Sequence, residues 1–512
     1  MNRLSADISG LFSPSDLRPR SHTGFLAGAV CLLAMALGYY VSLDPGWLRV
    51  WIDLTRASHW LGVLIGAGVF LVILRWPGVG LLLLVATIYT NISEIGVRHY
   101  QWPSLLQLVM PLLALAILGR QLVSSRPRLV VDALLALLIL YTVVIFASSV
   151  RAVNPELADE RLFDHLKSLA IVLVVINLMT SRLDLRHVTW VLVLVGAFLS
   201  TISMYQVATS AYTQEFGGLG RIKVAHIVDR VRQPRIAGPV GDPNFYAQIL
   251  VPLVPLAFYQ LWKEPSLRLK LIAAYSLSMI SLALVFTYSR GGILALAVVV
   301  LLAVIMKKIK PRHLVLGFIL FLPLWLVVPR EFEGRLSTLK QLIPGADETS
   351  MDVDTSFRER VLLMQVAWEM FRDHPVLGVG AGNYSEHYED YAQRIGSTVS
   401  SYEDFGQRRF PHSLYLEIAA ETGLVGLLLF AGIVVVTFLR ARSAIRLFTK
   451  AGDIHSAHIV TALALGLVGY LTSSVFLHGH YLRYFWLLVA LMVAARRIGS
   501  AERMDKPLSF SG

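Results

Sequence analysis

The chain has 512 residues, 55% of them hydrophobic and 16% charged, with a formal net charge of +12 and a mean hydropathy of +0.62. An ordinary soluble domain carries about 25% charged residues, so this composition excludes a soluble globular protein and predicts an all-α, polytopic integral membrane protein. The basic balance does not call for nucleic acid, because Lys and Arg gather on cytoplasmic loops. A single cysteine, Cys31, excludes an internal disulfide and a cysteine-based metal site.

Residues 1–23 are polar, with Arg18 and Arg20 ahead of the first long apolar run. That run reads as a retained signal anchor after a cytoplasmic N-terminus. A span needs roughly 20 apolar residues. On that measure spans are predicted near 24–43, 60–74, 77–93, 104–120, 132–150, 166–181, 187–206, 244–262, 269–289, 291–306, 313–329, 413–439, 458–477 and 483–496, a bundle of about 12–14 helices. With the N-terminus inside, the inner loops carry Arg120, Arg182/Arg186, Lys263/Arg268/Lys270, Lys307/Lys308/Lys310/Arg312 and Arg440/Arg442/Arg446/Lys450. Every inner loop is then basic, as the positive-inside rule requires, and the tail 499–512 is inside as well. The short outer segment 151–165 is acidic, with Glu156, Asp159 and Glu160. The regions that follow are an N-terminal bundle (24–206), an outer arginine-containing segment (207–243), spans with a tight turn (244–329), a long outer segment (330–411) and C-terminal spans (413–498).

The outer segments hold the candidate chemistry. Arg221, Lys223, Arg230, Arg232 and Arg235 precede GPVGDPNFYA, with Asn244 at the mouth of a span. Arginine forks match phosphate oxygens and stay charged at any working pH, so an arginine cluster here suggests an anionic partner, with lipid head groups or simple solvation as the plainer alternative. The apolar stretch 269–306 is too long for one span and breaks at Ser289-Arg290-Gly291-Gly292, which puts Arg290 in an outer turn. There it pairs, snorkels or lines a wet cavity.

Within 330–411, Ser356 and Glu359 form a predicted capping box. Phe357, Val361, Met364, Trp368 and Phe371 form one apolar stripe ending before Pro375. With Arg358 and Arg372 opposite, that helix suits the bilayer surface or a lid, or packs as plain fold support. Gly378, Gly380 and Gly382 then permit tight turns or close backbone approach to a ligand. His412 follows Pro411 at the outer end of the next span, with Tyr415 after it. Glu417 and Glu421 share one helical face below, where buried carboxylates normally find a cation. Histidine is a common general base near neutral pH, and two arginines can stabilise a pyrophosphate leaving group.

At these residues the sequence resembles the bacterial O-antigen ligase and O-antigen polymerase superfamily. The resemblance runs from about 230 to 440 and rests on four pieces in order: RIAGPVGDPNFYA, YSRGG, the run from Trp368 through HPVLGVGAGNY, and PHSLYLEIAAETGLVG. It implies a metal-independent, inverting glycosyltransferase of GT-C-like architecture, without a cofactor, in the bacterial inner membrane. Both termini would be cytoplasmic and the active site periplasmic. The implied donor is an undecaprenyl-pyrophosphate-linked glycan. The acceptor is a sugar or lipid A-core hydroxyl, and a chain-length regulator or other envelope assembly protein is a possible partner. By similarity His412, Arg290 and Arg235 form the catalytic set, with Arg221, Arg232, Asn244, Ser289, Tyr415, Glu417 and Glu421 as substrate-binding candidates. Where members of the superfamily carry Asn after the histidine, this chain carries Ser413. The large outer loop favours a polymerase over a ligase. A lipid-linked sugar transporter or flippase is the alternative of another class, although no internal repeat points to one.

Overall fold

The computed structural model describes residues 71–73, 76–101, 104–123, 133–225, 233–306, 355–396 and 408–505. The expected spans at 24–43 and 313–329, nearly all of 60–74, the N-terminal segment, Cys31, Arg230 and Arg232 lie outside the described residues. The elements in order are α1 (Pro77–Tyr89), α2 (Ile92–Tyr100), α3 (Leu105–Val123), α4 (Ala133–Ser149), α5 (Pro155–Leu178), α6 (Arg182–Thr209), β1 (Arg221–Ala225) and β2 (Gln233–Gly238). Then come α7 (Pro243–Leu250), α8 (Leu253–Lys263), α9 (Leu267–Phe286), α10 (Arg290–Ile305), α11 (Thr355–Asp373), α12 (Tyr384–Arg394), α13 (Leu414–Lys450), α14 (Ile454–Ser473) and α15 (Leu482–Asp505).

Among the described residues, six helices are long and apolar enough to cross a membrane: α6, α7 with α8, α9, α13, α14 and the first part of α15. Three shorter apolar helices, within α3, α4 and α10, match further expected spans, and α1 with α2 is a pair bent by 58°. The protein is an all-α polytopic membrane protein. A two-stranded antiparallel β1–β2 hairpin is an addition to the sequence reading, with Lys223 opposite Arg235.

Local chemistry explains the boundaries. Asn154 caps α5 by accepting from the N–H groups of Glu156 and Leu157, and Pro155 opens the helix. The acidic outer segment 151–165 is therefore mostly the first turns of a long helix, since Pro at the first position suits a helix start. Ser181 and Asp184 form a capping box on α6. Asp242 caps α7 through Asn244 and Phe245. The bundle core runs through α15, whose Phe485–Ala495 stretch is almost wholly buried. Polar ties hold the far end, where Arg186 meets Glu264 at 2.7 Å and Arg182 meets Asp453 at 3.2 Å.

The helix after the long outer segment is broken. Within α13, Gly423 has φ 67° and ψ −167°. The backbone groups freed there are taken by Pro375–Gly380: Leu424 N–H donates to Pro375 O at 2.8 Å, and Val379 N–H donates to Ala420 O at 2.8 Å. Buried backbone groups must be paired, and this segment pairs them. A Cβ on Gly378 would sit 2.3 Å from the Glu421 carbonyl carbon, and one on Gly423 would sit 2.2 Å from Val376 O. Close approach at Gly378 therefore serves packing on α13, not a ligand.

Two details of α11 differ from the sequence reading. The helix starts at Thr355, so Ser356 lies inside the first turn rather than at the cap. Its buried face is Leu363, Val366, Ala367 and Met370, packed on Tyr384, Tyr388, Tyr391 and Ala420. The predicted stripe is the flank beside it: Trp368 is 49% exposed, with its ring 5.6 Å from that of Phe371. Two apolar stripes share this helix, and the one that faces Tyr384, Tyr388 and Tyr391 takes the core.

Candidate functional site

The site forms where β2, the start of α7 and the α9–α10 turn meet, with His412 ahead of α13 linked to Phe245 of α7 through the ring of His478. Arg235 on β2 lies across the turn that launches α10. Its Nε donates to Thr287 O at 2.9 Å, and its Nη2 donates to Asn244 Oδ1 at 3.2 Å and to Tyr288 O at 3.4 Å. Arg290 is the first residue of α10, directly after the Ser289 cap. Ser289 is buried, and its Oγ accepts from Gly292 N–H at 3.3 Å. The cap role accounts for Ser289, and the fold brings Arg235, Asn244 and the Arg290 turn together. Tyr288 in that turn has φ 52° and His412 has φ 47°. Such non-glycine outliers cost energy and cluster at functional sites.

Arg221 on β1 packs against the loop between β2 and α7. A Cβ on Gly241 would lie 2.9 Å from Arg221 Nη1, so a side chain at 241 would displace the guanidinium. Arg221 Nε and Nη2 are sealed from solvent without a hydrogen-bond partner. An unsatisfied buried donor costs roughly 1–3 kcal/mol, more when charged, and an anion is the ligand that would repay it. Lys223 pairs with Asp242 at 3.3 Å. Burial alone would raise the Asp242 carboxyl, but Lys223 and two backbone N–H groups outweigh it and hold the group below the usual carboxylate range.

His412 is half-buried just before Leu414 opens α13, with its Nδ1 sealed and unpartnered. Loss of solvation, then the positive charges of Arg360 and Lys223, lower its pKa to about 4 against the opposing pull of Asp242. The imidazole is therefore neutral at pH 7, the form a general base needs. Those neighbours tie β1, the α7 cap and α11 to His412.

The carboxylates of α13 have found their cation. Arg161 on α5 pairs with Glu417, and its Nε lies 3.8 Å from Glu421. Glu417 Oε2 also accepts from Gly479 N–H at 2.5 Å. Glu417 and Glu421, expected among the substrate-binding groups, are engaged inside the protein. Tyr415 from the same set donates its hydroxyl to Leu471 O at 2.8 Å, bracing α13 on α14.

Sequence reasoning missed Arg161 and the pair His478 and His480. The two histidines lie between α14 and α15, where the sequence leaves only a short gap between apolar runs. The missed signal is His-Gly-His at the mouth of a span. A cavity of about 150 Å³ lies beyond that loop, lined in part by Arg161, Glu421, His480 and Arg483.

Residues 274–431 match the family model described as O-antigen ligase. The match covers under a third of the chain. The chain is an integral membrane protein, and this stretch of it is similar to O-antigen ligases. No curated protein matches it at a significant level. The O-antigen ligase match covers Arg290 and His412, while Arg221, Arg235, Arg161 and His478 come from outside it.

Proposed function

We propose that this protein transfers a glycan from an undecaprenyl-pyrophosphate donor to a hydroxyl acceptor, at the periplasmic face of a bacterial inner membrane. The observation that carries the reading is the sealed, unpartnered guanidinium edge of Arg221, beside the β2–α7 loop whose Asp242 faces His412. Arg221, Arg235 and Arg290 hold the donor pyrophosphate, and the N-terminal end of α10 adds its positive dipole end. Neutral His412 takes the acceptor proton. The acceptor oxygen attacks the anomeric carbon from the face opposite the pyrophosphate, so the configuration inverts. The anomeric C–O bond to the pyrophosphate breaks, and the electron pair leaves on a phosphate oxygen that the arginines neutralise. The products are the extended acceptor and undecaprenyl pyrophosphate. The chemistry runs on the chain's own residues without a metal. The basic inner loops support a cytoplasmic location for both termini.

Polymerase is favoured over ligase to lipid A-core. The test is the profile of envelope and lipid-linked glycans in cells carrying His412→Ala at wild-type protein level. Loss of long chains, with single repeats accumulating, means a polymerase. Long chains that stay on undecaprenyl pyrophosphate mean a ligase. A wild-type profile removes His412 from catalysis and brings forward a lipid-linked sugar transporter.

A further inference from the structure

We propose that His478 is a positioning residue for His412, joining the arm that carries the base to the arm that carries Arg235. The inference rests on the reading of His412 as the base. His478 makes four ring contacts. It stacks on Phe410 at 4.2 Å and 2°. It meets Phe245 edge-on at 5.0 Å, His412 at 5.6 Å and 79°, and His480 at 5.9 Å. Phe410 is two residues ahead of His412, and Phe245 adjoins Asn244, the acceptor for Arg235. One ring therefore touches both halves of the site.

The main chain on either side of His478 is fixed. Leu414 N–H donates to Ser474 O at 3.0 Å. Gln248 donates to Ser474 Oγ at 2.9 Å, and Gly479 N–H donates to Glu417. This anchoring ties the α14–α15 loop to the first turns of α13, and so ties His478 to the helix that follows His412.

Stacking alone would be served by a phenylalanine. Histidine keeps a polar edge, and Nδ1 of His478 is sealed without a hydrogen-bond partner, as is Nδ1 of His412. An unsatisfied buried nitrogen is costly, so the polar edge is kept for a use beyond packing. Burial, then His412, His480 and Arg161, hold His478 well below the usual histidine range. A neutral imidazole thus lies beside the group that gains a proton in each turnover. The groups facing His412 are Arg360, Lys223 and Asp242. His478 adds an aromatic ring to that set, at a T-shaped 79° to the His412 imidazole.

The test uses the purified full-length protein in lipid, with an undecaprenyl-pyrophosphate-linked glycan as donor, comparing His478→Phe, His478→Gln and His412→Ala. His478→Phe keeps the ring stack. The expected result is a wild-type melting temperature and donor KM, kcat lower by roughly ten- to a hundredfold as for a misplaced catalytic group, and a shifted acid limb of the kcat profile. His478→Gln, which restores a polar edge, recovers part of the loss. Wild-type kcat and pH profile in His478→Phe, with His412→Ala inactive, overturn the role of His478 alone. Activity in His412→Ala overturns the reading of the site beneath it.

Discussion

The first turns of α13 separate two polar clusters that obey opposite rules. Behind the helix, Arg161 is matched by Glu417 and Glu421, both carboxylates buried. One guanidinium is shared there by two carboxylates, and the cluster fixes where the helix stands. In front, Arg221 keeps two sealed donors without partners, Arg235 donates to neutral oxygens, and His412 is held neutral by burial and then by nearby positive charge. The first cluster is paired within the fold, and the second keeps buried polar atoms without partners, which on the proposed reading an anion completes. Ionic side chains in a membrane protein therefore separate into scaffold and site by whether their valences are met inside the fold.

Breaking the front cluster gives the largest effect. His412→Ala removes the base and lowers kcat by about 10²–10⁴-fold, read as initial transfer rate at equal protein level. The pH dependence sharpens the same point. A His412 pKa near 4 predicts that kcat/KM stays flat from pH 7 down to about 5, because the base remains unprotonated. An acid limb at an ordinary histidine value of 6.5 contradicts that environment. The stability sign follows: the unfolded chain binds this proton near 6.5 and the folded one only near 4. The contribution of His412 is therefore full above pH 6.5 and is lost as pH falls toward 4.

Breaking the rear cluster should cost stability. Glu417→Gln leaves Arg161 partly uncompensated. The expected loss is about 2–3 kcal/mol, below the full value for a buried pair, because the Arg161 side chain is 26% exposed. The melting temperature in detergent measures it. Gly423→Ala places a methyl against Val376 O at a φ of +67°, so about 1–3 kcal/mol of strain is expected, seen as faster proteolysis at 375–380. Tyr415→Phe removes one hydrogen bond to Leu471. It should cost about 1 kcal/mol and leave transfer rate intact. A raised donor KM would return Tyr415 to the substrate-binding set.

Much of the front cluster is legible in the sequence. Asp242-Pro243-Asn244 is a cap followed by a proline, and Ser289-Arg290-Gly291-Gly292 is a forced break in an apolar run. Both therefore mark the mouths of spans, and Arg235 and His412 adjoin such mouths. The rear cluster is only half legible. Glu417 and Glu421 announce a buried cation, but Arg161 hides among Glu156, Asp159 and Glu160, where its sign looks like surface mixing. His478 is hidden differently, because its value lies in ring contacts with Phe410 and Phe245, far away in the chain. The break at Gly423 also escapes periodicity, since its freed backbone groups pair with Pro375–Gly380, a segment distant in sequence. On α11 two apolar stripes compete, and only packing decides that Leu363, Val366 and Met370 face inward.

The most direct test of the account measures donor binding and transfer on the same purified protein. Binding of undecaprenyl-pyrophosphate-linked glycan would be followed for wild type, His412→Ala and Arg221→Ala, each also assayed for single-turnover transfer. The account predicts that His412→Ala binds donor as wild type does and transfers nothing, while Arg221→Ala loses binding about tenfold or more, the scale of one charge-assisted hydrogen bond. Unchanged donor affinity in Arg221→Ala, or turnover in His412→Ala, contradicts it.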